Sequence, residues 1–206
     1  MRNHTAHPER CRGVRALPLL VVAAMLAGCS VVQHVMLRPD YDRVDRTKTV
    51  RLVAFTSPIP EGGPRVAQMM SEIALRYTND HRDFIVKAAR SGPAAPADLC
   101  APGLDGVLRL VPSLHREQGD VNARVRASIT RCRDGVLVWS ADARGTFASD
   151  DPHLKDTVDH YVASFGPTVR PYVAPVFMLL KATLGDLPKP KLPNDAAVME
   201  KIELNE

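Results

Sequence analysis

Residues 121–130, VNARVRASIT, alternate without a fault. Val121, Ala123, Val125, Ala127 and Ile129 fall on one side, and Asn122, Arg124, Arg126, Ser128 and Thr130 on the other. A two-residue period belongs to a strand with one covered face, because successive side chains point to opposite sides of a sheet. It also sets register, since a slip of one residue would turn every apolar side chain to water. Two more stretches of strand character flank it, VLRLVPSL (107–114) and VLVWSADARGTF (136–147). A three-residue loop Arg133-Asp134-Gly135, with Gly135 in the left-handed position of a bulged turn, sets Ile129 opposite Trp139, Ala127 opposite Ala141, Val125 opposite Ala143 and Val121 opposite Phe147. A two-residue Asp134-Gly135 turn would oppose apolar and polar faces and is rejected. A turn at Gln118-Gly119 pairs Leu108 with Ile129, Leu110 with Ala127 and Leu114 with Ala123. Every apolar match lies on one face of an antiparallel meander. The other face aligns Arg126 with Asp142 and Arg124 with Arg144.

Upstream, TVRLVAF (49–55) is a continuous apolar run of strand length, as a strand covered on both faces requires. Pro64 suits a first helical position, and Val66, Met69, Met70, Ile73, Ala74 and Tyr77 then recur at helical spacing, so 64–79 is predicted as an amphipathic helix. DFIVKAA (83–89) reads as a second strand, parallel to the first across the helix. Residues 90–103 read as a loop with one short turn at 96–100. Downstream, Asp151-Pro152 opens a helix that Gly166-Pro167 ends. Pro167, Pro171 and Pro175 predict a kinked or broken helix to about residue 184. The fold class is α+β: a two-layer sandwich with a mixed five-stranded sheet, helices on one face.

The first thirty residues read differently. Arg2, Arg10, Arg12 and Arg15 precede an apolar run over 16–27, too short to span a bilayer, and Ala27 and Gly28 stand before Cys29. That is the order of a secretory signal peptide. Leu26-Ala27-Gly28-Cys29 resembles the lipobox of bacterial lipoproteins. The resemblance implies cleavage between Gly28 and Cys29, acylation of Cys29 and anchorage in a lipid bilayer. By the sorting rule of many such proteins, Ser30 implies the outer membrane, with the domain on the periplasmic side.

Removing residues 1–28 takes Lys and Arg from 27 to 23 and Asp and Glu from 23 to 22, so the formal charge falls from +4 to +1. Net charge then gives no ground for nucleic-acid binding. Cys11 leaves with the peptide. Cys100 and Cys132 remain in an oxidising compartment, where a bridge is expected. The predicted register supports it, because Cys132 ends the middle strand and Cys100 precedes the strand that starts beside that end. Two buried free thiols are the alternative. Residues 29–47, with Pro39 and RPDYDRVDRTK, are expected to form a lipidated tether, unless part of VVQHVML packs on the domain. The domain is expected over 48–187 and a loop-like tail over 188–206.

No phosphate-binding glycine loop, nucleophile elbow or metal-binding motif is present. His153, Asp156 and His160 share a helix face near Asp150 and Asp151, but a solvated, capped helix start explains them. Asp159-His160 has no nucleophile beside it. No catalytic residue, metal or cofactor is therefore assigned. Arg109, Arg124, Arg126 and Arg144 make a basic patch on the open sheet face, an ordinary solvated surface or a face for a partner.

The order strand, helix, strand, meander, C-terminal helix resembles the α/β domain of curli-secretion-type lipoproteins and the amino-terminal domain of TolB-like proteins. More specifically, DGVLVWSADARGTFASDDP, FGPTVRPYVAPVFMLL and VMEKIELNE are similar to a family of uncharacterised bacterial lipoproteins of myxobacteria-like and spirochaete-like lineages. That resemblance implies an envelope lipoprotein and no catalytic residues. The expected function is a non-enzymatic binding or scaffold component that meets an envelope protein. The alternative is an accessory subunit of an envelope transport or secretion assembly; a periplasmic hydrolase is a third class. Oligomeric state is left open.

Overall fold

The alternation of residues 121–130 is realised as a long strand whose odd-numbered side chains are buried and whose even-numbered ones are not. The computed structural model describes residues 31–204. In chain order the elements are β1 (Val32–Leu37), α1 (Tyr41–Val44), β2 (Arg51–Thr56), α2 (Gly63–His81), β3 (Ile85–Ser91), β4 (Gly106–Glu117), β5 (Asp120–Arg131), β6 (Leu137–Ala148), α3 (Lys155–Phe165), α4 (Arg170–Gly185) and α5 (Asp195–Glu203). The strands form one sheet in the order β1-β6-β5-β4-β2-β3. Strands β2 and β3 are parallel, as are β2 and β4, and the other pairs are antiparallel.

The meander has the expected register. Leu108 faces Ile129, Leu110 faces Ala127 and Leu114 faces Ala123, while Ile129 faces Trp139, Ala127 faces Ala141, Val125 faces Ala143 and Val121 faces Phe147. At the first turn both Gln118 (φ 48°) and Gly119 (φ 95°) are left-handed, as a tight hairpin turn matched to strand twist demands. The second turn differs in detail. Gly135 is left-handed (φ 69°) as expected, but the register shifts after Ile129, so Thr130 faces Leu137. The extra residue is absorbed at Val138, which is buried beside Trp139. Cys132 is drawn off the ladder, its N–H donating to the carbonyl of Asp105.

Helices α2, α3 and α4 cover one face, and the main core lies between them and Leu52, Ala54, Leu108, Leu110, Ile129 and Trp139. The opposite face of β2 is covered too: Val53, Phe55 and Val107 pack beneath Leu99 and the loop carrying Cys100. That second cover is why β2 is apolar at each position from Leu52 to Phe55. Polar side chains tie the layers. The Asn79 amide donates to the carbonyl of Val86 and accepts its N–H. The Ser71 hydroxyl lies 2.7 Å from the Thr56 hydroxyl and 2.6 Å from the carbonyl oxygen of Arg90. Arg82 donates to the carbonyls of Leu184 and Gly185, neutralising the negative end of α4. Helix α4 continues through Pro175 rather than breaking there. Pro175 lies in the second turn, where the one carbonyl it deprives is that of Pro171, and Pro171 itself occupies the favoured first turn.

Three sequence expectations are corrected. The sheet has six strands, because residues expected to form a tether supply β1, which pairs with β6 along its edge. Residues 38–49 are fixed as well. Tyr41 is buried in the core, and Asp45, fully buried, accepts hydrogen bonds from Arg131 at 3.1 Å and Thr49 at 3.0 Å. Burial opposes the charge on Arg131, but hydrogen bonds to Asp134 and Asp45 outweigh it and raise its pKa above the ordinary value. The domain boundaries at 48 and 187 therefore do not hold on either side, since residues 188–204 also join the folded body. Helix α5 is capped by Asn194. Its Ala197 packs on Val50 and Ile85, and Glu200 pairs with Arg51 at 2.9 Å and with Lys87.

Lys201, only 9 % exposed, holds α5 to the domain by donating to the carbonyl of Phe84 at 2.6 Å. Desolvation pushes its pKa down to about 8 despite Asp83 and Asp80 nearby. An unfolded lysine holds its proton to about pH 10.4. Between the two values the unfolded state binds more protons, so stability rises with pH across that window. Urea unfolding from pH 7.5 to 10 should show an increase of about 2 kcal/mol, and Lys201→Met should remove most of the slope. An unchanged slope in that variant would discard Lys201 as its source.

Candidate functional site

Four strands leave one side of the sheet uncovered, and the register lays its side chains out in rows. Arg109, Ser128 and Ser140 are successive partners across β4, β5 and β6. The next row runs Val111, Arg126, Asp142, His34 across β4, β5, β6 and β1. Beyond it Ser113, Arg124 and Arg144 align. The four arginines assigned to a possible partner face thus share one surface, joined there by His34.

Their electrostatic states differ. Asp142 faces Arg126 on the ladder but bonds Arg124 instead, with one contact at 3.0 Å and a second, shorter one. Sheet twist favours such diagonal contacts. Hydrogen bonds from Arg124 hold the Asp142 carboxyl below its ordinary value and raise the Arg124 guanidinium above its own. Arg109 is half-buried and donates to the Ser57 hydroxyl at 3.3 Å. Among the described residues, no carboxylate lies within ion-pairing distance of Arg109, Arg126 or Arg144. Because Ser128 and Ser140 are short, the surface dips between the longer side chains into a concavity of about 510 Å³. Arg109, Arg126, His34, Asp142, Val111 and Leu137 bound it.

The other sequence candidates fall elsewhere. Cys100 and Cys132 form a disulfide with Cα atoms 5.4 Å apart. Gly28 and Cys29, the proposed cleavage and lipidation site, lie outside the described residues. Asp151 accepts the N–H of His153 at 2.9 Å, as a helix-start cap does. His160 turns to α2, its Nε2 2.8 Å from Arg76, while Asp159 pairs with Lys155 and Arg170. His153, Asp156 and His160 are therefore not brought together as a ligand set, and among the described residues no three His, Cys, Asp or Glu side chains converge so as to hold a metal. Beside Tyr161, whose pKa burial pushes up to about 12, His160 makes an edge contact with the ring.

Sequence reasoning missed His34 and the paired serines. His34 belongs to a strand recognised only through its partner 108 residues on, while Ser128 is one of five polar positions among residues 121–130 and Ser140 carries no pattern of its own. The cross-strand alignment of 128 with 140 follows from the register already inferred, so the serine pair could have been found.

No protein-family model matches the chain, and no curated protein matches it. Among solved structures, it is similar to the PelC dodecamer from Paraburkholderia phytofirmans, at 16% identity and a TM-score of 0.37 over 68% of this chain and 96% of that one. It is also similar to lipoprotein GNA1162 from Neisseria meningitidis, at 16% identity and a TM-score of 0.36 over 56% of this chain and 96% of that one. Likeness at these TM-scores carries no conclusion about family, partner or assembly.

Proposed function

We propose that this chain is a lipoprotein of the bacterial envelope, held at the outer membrane by an acylated Cys29, whose domain acts by binding and not by turnover. The observation that carries the binding role is the charge asymmetry of the open sheet face. In its middle rows Arg109, Arg124, Arg126 and Arg144 stand against one carboxylate, Asp142, while Glu117 and Asp120 lie apart at the hairpin end of the same face. The mature chain carries a formal charge of only +1, so the excess is local. A surface of this sign selects an anionic partner and steers its approach.

The anchor reading rests on the lipobox, and among the described residues no helix is long and apolar enough to cross a membrane. Folding begins early: the N–H of Arg144 donates to the carbonyl of Val31 at 2.9 Å. Only Ser30 lies between Cys29 and Val31, and two residue steps make a leash of about 7 Å. The domain would then rest against the bilayer with no stalk. Trypsin added to permeabilised cells should release little soluble domain from membranes, although Arg38, Arg43, Arg46 and Lys48 all follow the anchor. Rapid release of an intact domain would count against the short leash.

Photo-crosslinking from Ser113 in intact cells, with Lys181 on α4 as the control position, tests the binding face. A discrete envelope adduct from Ser113 alone supports the reading. Monomer alone from both positions contradicts it.

A second reading, an accessory subunit of an envelope transport or secretion assembly, is favoured by the sheet's edges. Strands β1 and β3 are its two borders and run in opposite directions, so copies could extend one antiparallel sheet. Val35 and Leu37 on β1 are each 44% exposed. A discrete high mass for the detergent-solubilised protein would select this reading.

A further inference from the structure

We propose that the concavity between Arg109 and Arg126 is a subsite for a phosphate ester, with Ser128 and Ser140 on its floor. The inference rests on the binding role of the open face and names the chemistry that face would take.

The register supplies the geometry. Arg109 lies directly across from Ser128, and Ser128 directly across from Ser140. Arg126 is the diagonal neighbour of Arg109, so their Cβ atoms stand about 7–8 Å apart. Two guanidinium groups rising from that separation on the same face can close on one tetrahedral anion from two sides. Each serine hydroxyl beneath can donate to a further oxygen, and a phosphate has enough oxygens to accept all four groups. A carboxylate presents two oxygens in one plane, so it meets two arginines and two serines approaching from different sides less completely than a tetrahedral anion does.

Charge points the same way. The one carboxylate at the rim, Asp142, is engaged by Arg124 through two hydrogen bonds. Arg126 therefore keeps its donors, while the Ser57 hydroxyl holds Arg109 by a single nitrogen. Asp142 remains close enough to repel a naked anion, and its pairing with Arg124 offsets that repulsion. On the β1 side His34 adds a ring nitrogen to the rim.

Size and polarity indicate more than a free ion. The concavity of about 510 Å³ exceeds what one phosphate fills, and Val111 and Leu137 contribute apolar wall. The occupant is thus a phosphate attached to a carbon body. A lipid headgroup and a soluble phosphate ester share that chemistry.

The test uses the full lipidated protein in detergent micelles or nanodiscs. Glycerol phosphate is titrated at constant ionic strength while the side-chain Nε–Hε signals of Arg109 and Arg126 and the amide signals of Ser128 and Ser140 are followed by NMR. Nanodiscs with and without phosphatidylglycerol form the second arm. Saturating shifts at these four residues, with Kd in the millimolar range or tighter and no comparable shift at Arg116 or Arg170, are expected. Arg126→Gln should weaken binding at least ten-fold, with Arg170→Gln unchanged and the remaining spectrum preserved in both. Saturation by glycerol phosphate identifies a soluble source, whereas shifts produced only by phosphatidylglycerol identify the headgroup. Linear shifts spread over all surface arginines, or a Kd unmoved by both Arg126→Gln and Arg109→Gln, would overturn the subsite. A Ser113 adduct that survives such a result leaves the partner face standing, so the two claims fail separately.

Discussion

Asp45→Ala should lower the unfolding free energy by about 3–5 kcal/mol, the range for stripping one member from a buried ion pair. Asp45 is fully buried and Arg131 is 5 % exposed. Removing the carboxylate leaves a guanidinium facing protein in place of its acceptor. Arg131 also donates to Asp134 at 2.7 and 3.0 Å, which keeps part of its charge satisfied and places the loss near the lower end of the range. With a urea m-value of about 2 kcal/mol per molar, the midpoint would fall by about 1.5 M. A double variant, Asp45→Asn with Arg131→Gln, removes both charges and should recover much of the loss, since desolvation had offset most of the pair's attraction. The local readout is as informative as the global one. Residues 38–49 are fastened by this pair, by Tyr41 and by the Thr49 hydrogen bond, so amide exchange should rise there first. A loss below about 1 kcal/mol would mean that packing around Tyr41, and not the ion pair, closes the segment onto the sheet.

This pair also marks where sequence reasoning stopped. The meander was legible because β4, β5 and β6 are sequential and joined by tight turns. Their alternation specifies pairing over short separations, and the long run of apolar matches excludes other registers. Helix α2 and β2 were legible for similar local reasons. Strand β1 was not. It has six residues, of which Gln33, His34, Val35 and Leu37 are exposed, so its burial pattern carries little periodicity. Its partner lies more than a hundred residues away, and Pro39 and a run of charges follow it, which reads as a tether. Asp45, Arg131 and Lys201 are charged residues placed where charges rarely go. Only tertiary partners make such burial affordable, and nothing in a neighbouring pattern announces them.

The open face shows the same division between what local rules reach and what they do not. Register placed Arg109, Arg124, Arg126 and Arg144 on one surface and set Arg126 across from Asp142. It could not say that Asp142 would bond Arg124, because ladder partners define Cα alignment while twist and side-chain length decide contacts. That diagonal choice determines which arginine remains available to a ligand. Had Asp142 paired with Arg126, the two-arginine geometry above the serines would be lost. The proposed site therefore depends on a contact two residues along β5 from the inferred pairing.

Reducing the Cys100–Cys132 disulfide should cost about 4 kcal/mol, the chain-entropy value for closing a loop with the observed sequence separation of 32. The local effect follows from what the loop covers. Val53, Phe55 and Val107 are essentially inaccessible beneath Leu99 and the residues around Cys100. No α-helix covers Val53, Phe55 and Val107 on this face among the described residues, so their cover is the loop with its single 3-10 turn, Pro96–Leu99. The base of the loop has independent fastenings: the Asp105 carboxylate accepts the N–H groups of Val50 and Arg51, and its carbonyl accepts that of Cys132. Opening should therefore stay confined to about residues 92–104 and leave the start of β2 in place. Hydrogen exchange on the Cys100→Ser/Cys132→Ser variant is expected to show lost protection in that segment, with α2 and β5 changed only by the global loss of stability. Binding of an apolar dye should increase as Phe55 becomes reachable. An equilibrium change below about 1 kcal/mol would show that packing of Leu99 holds the flap without the covalent link. Uniform loss of protection across β2 and β4 would show instead that the bridge sustains the whole second face.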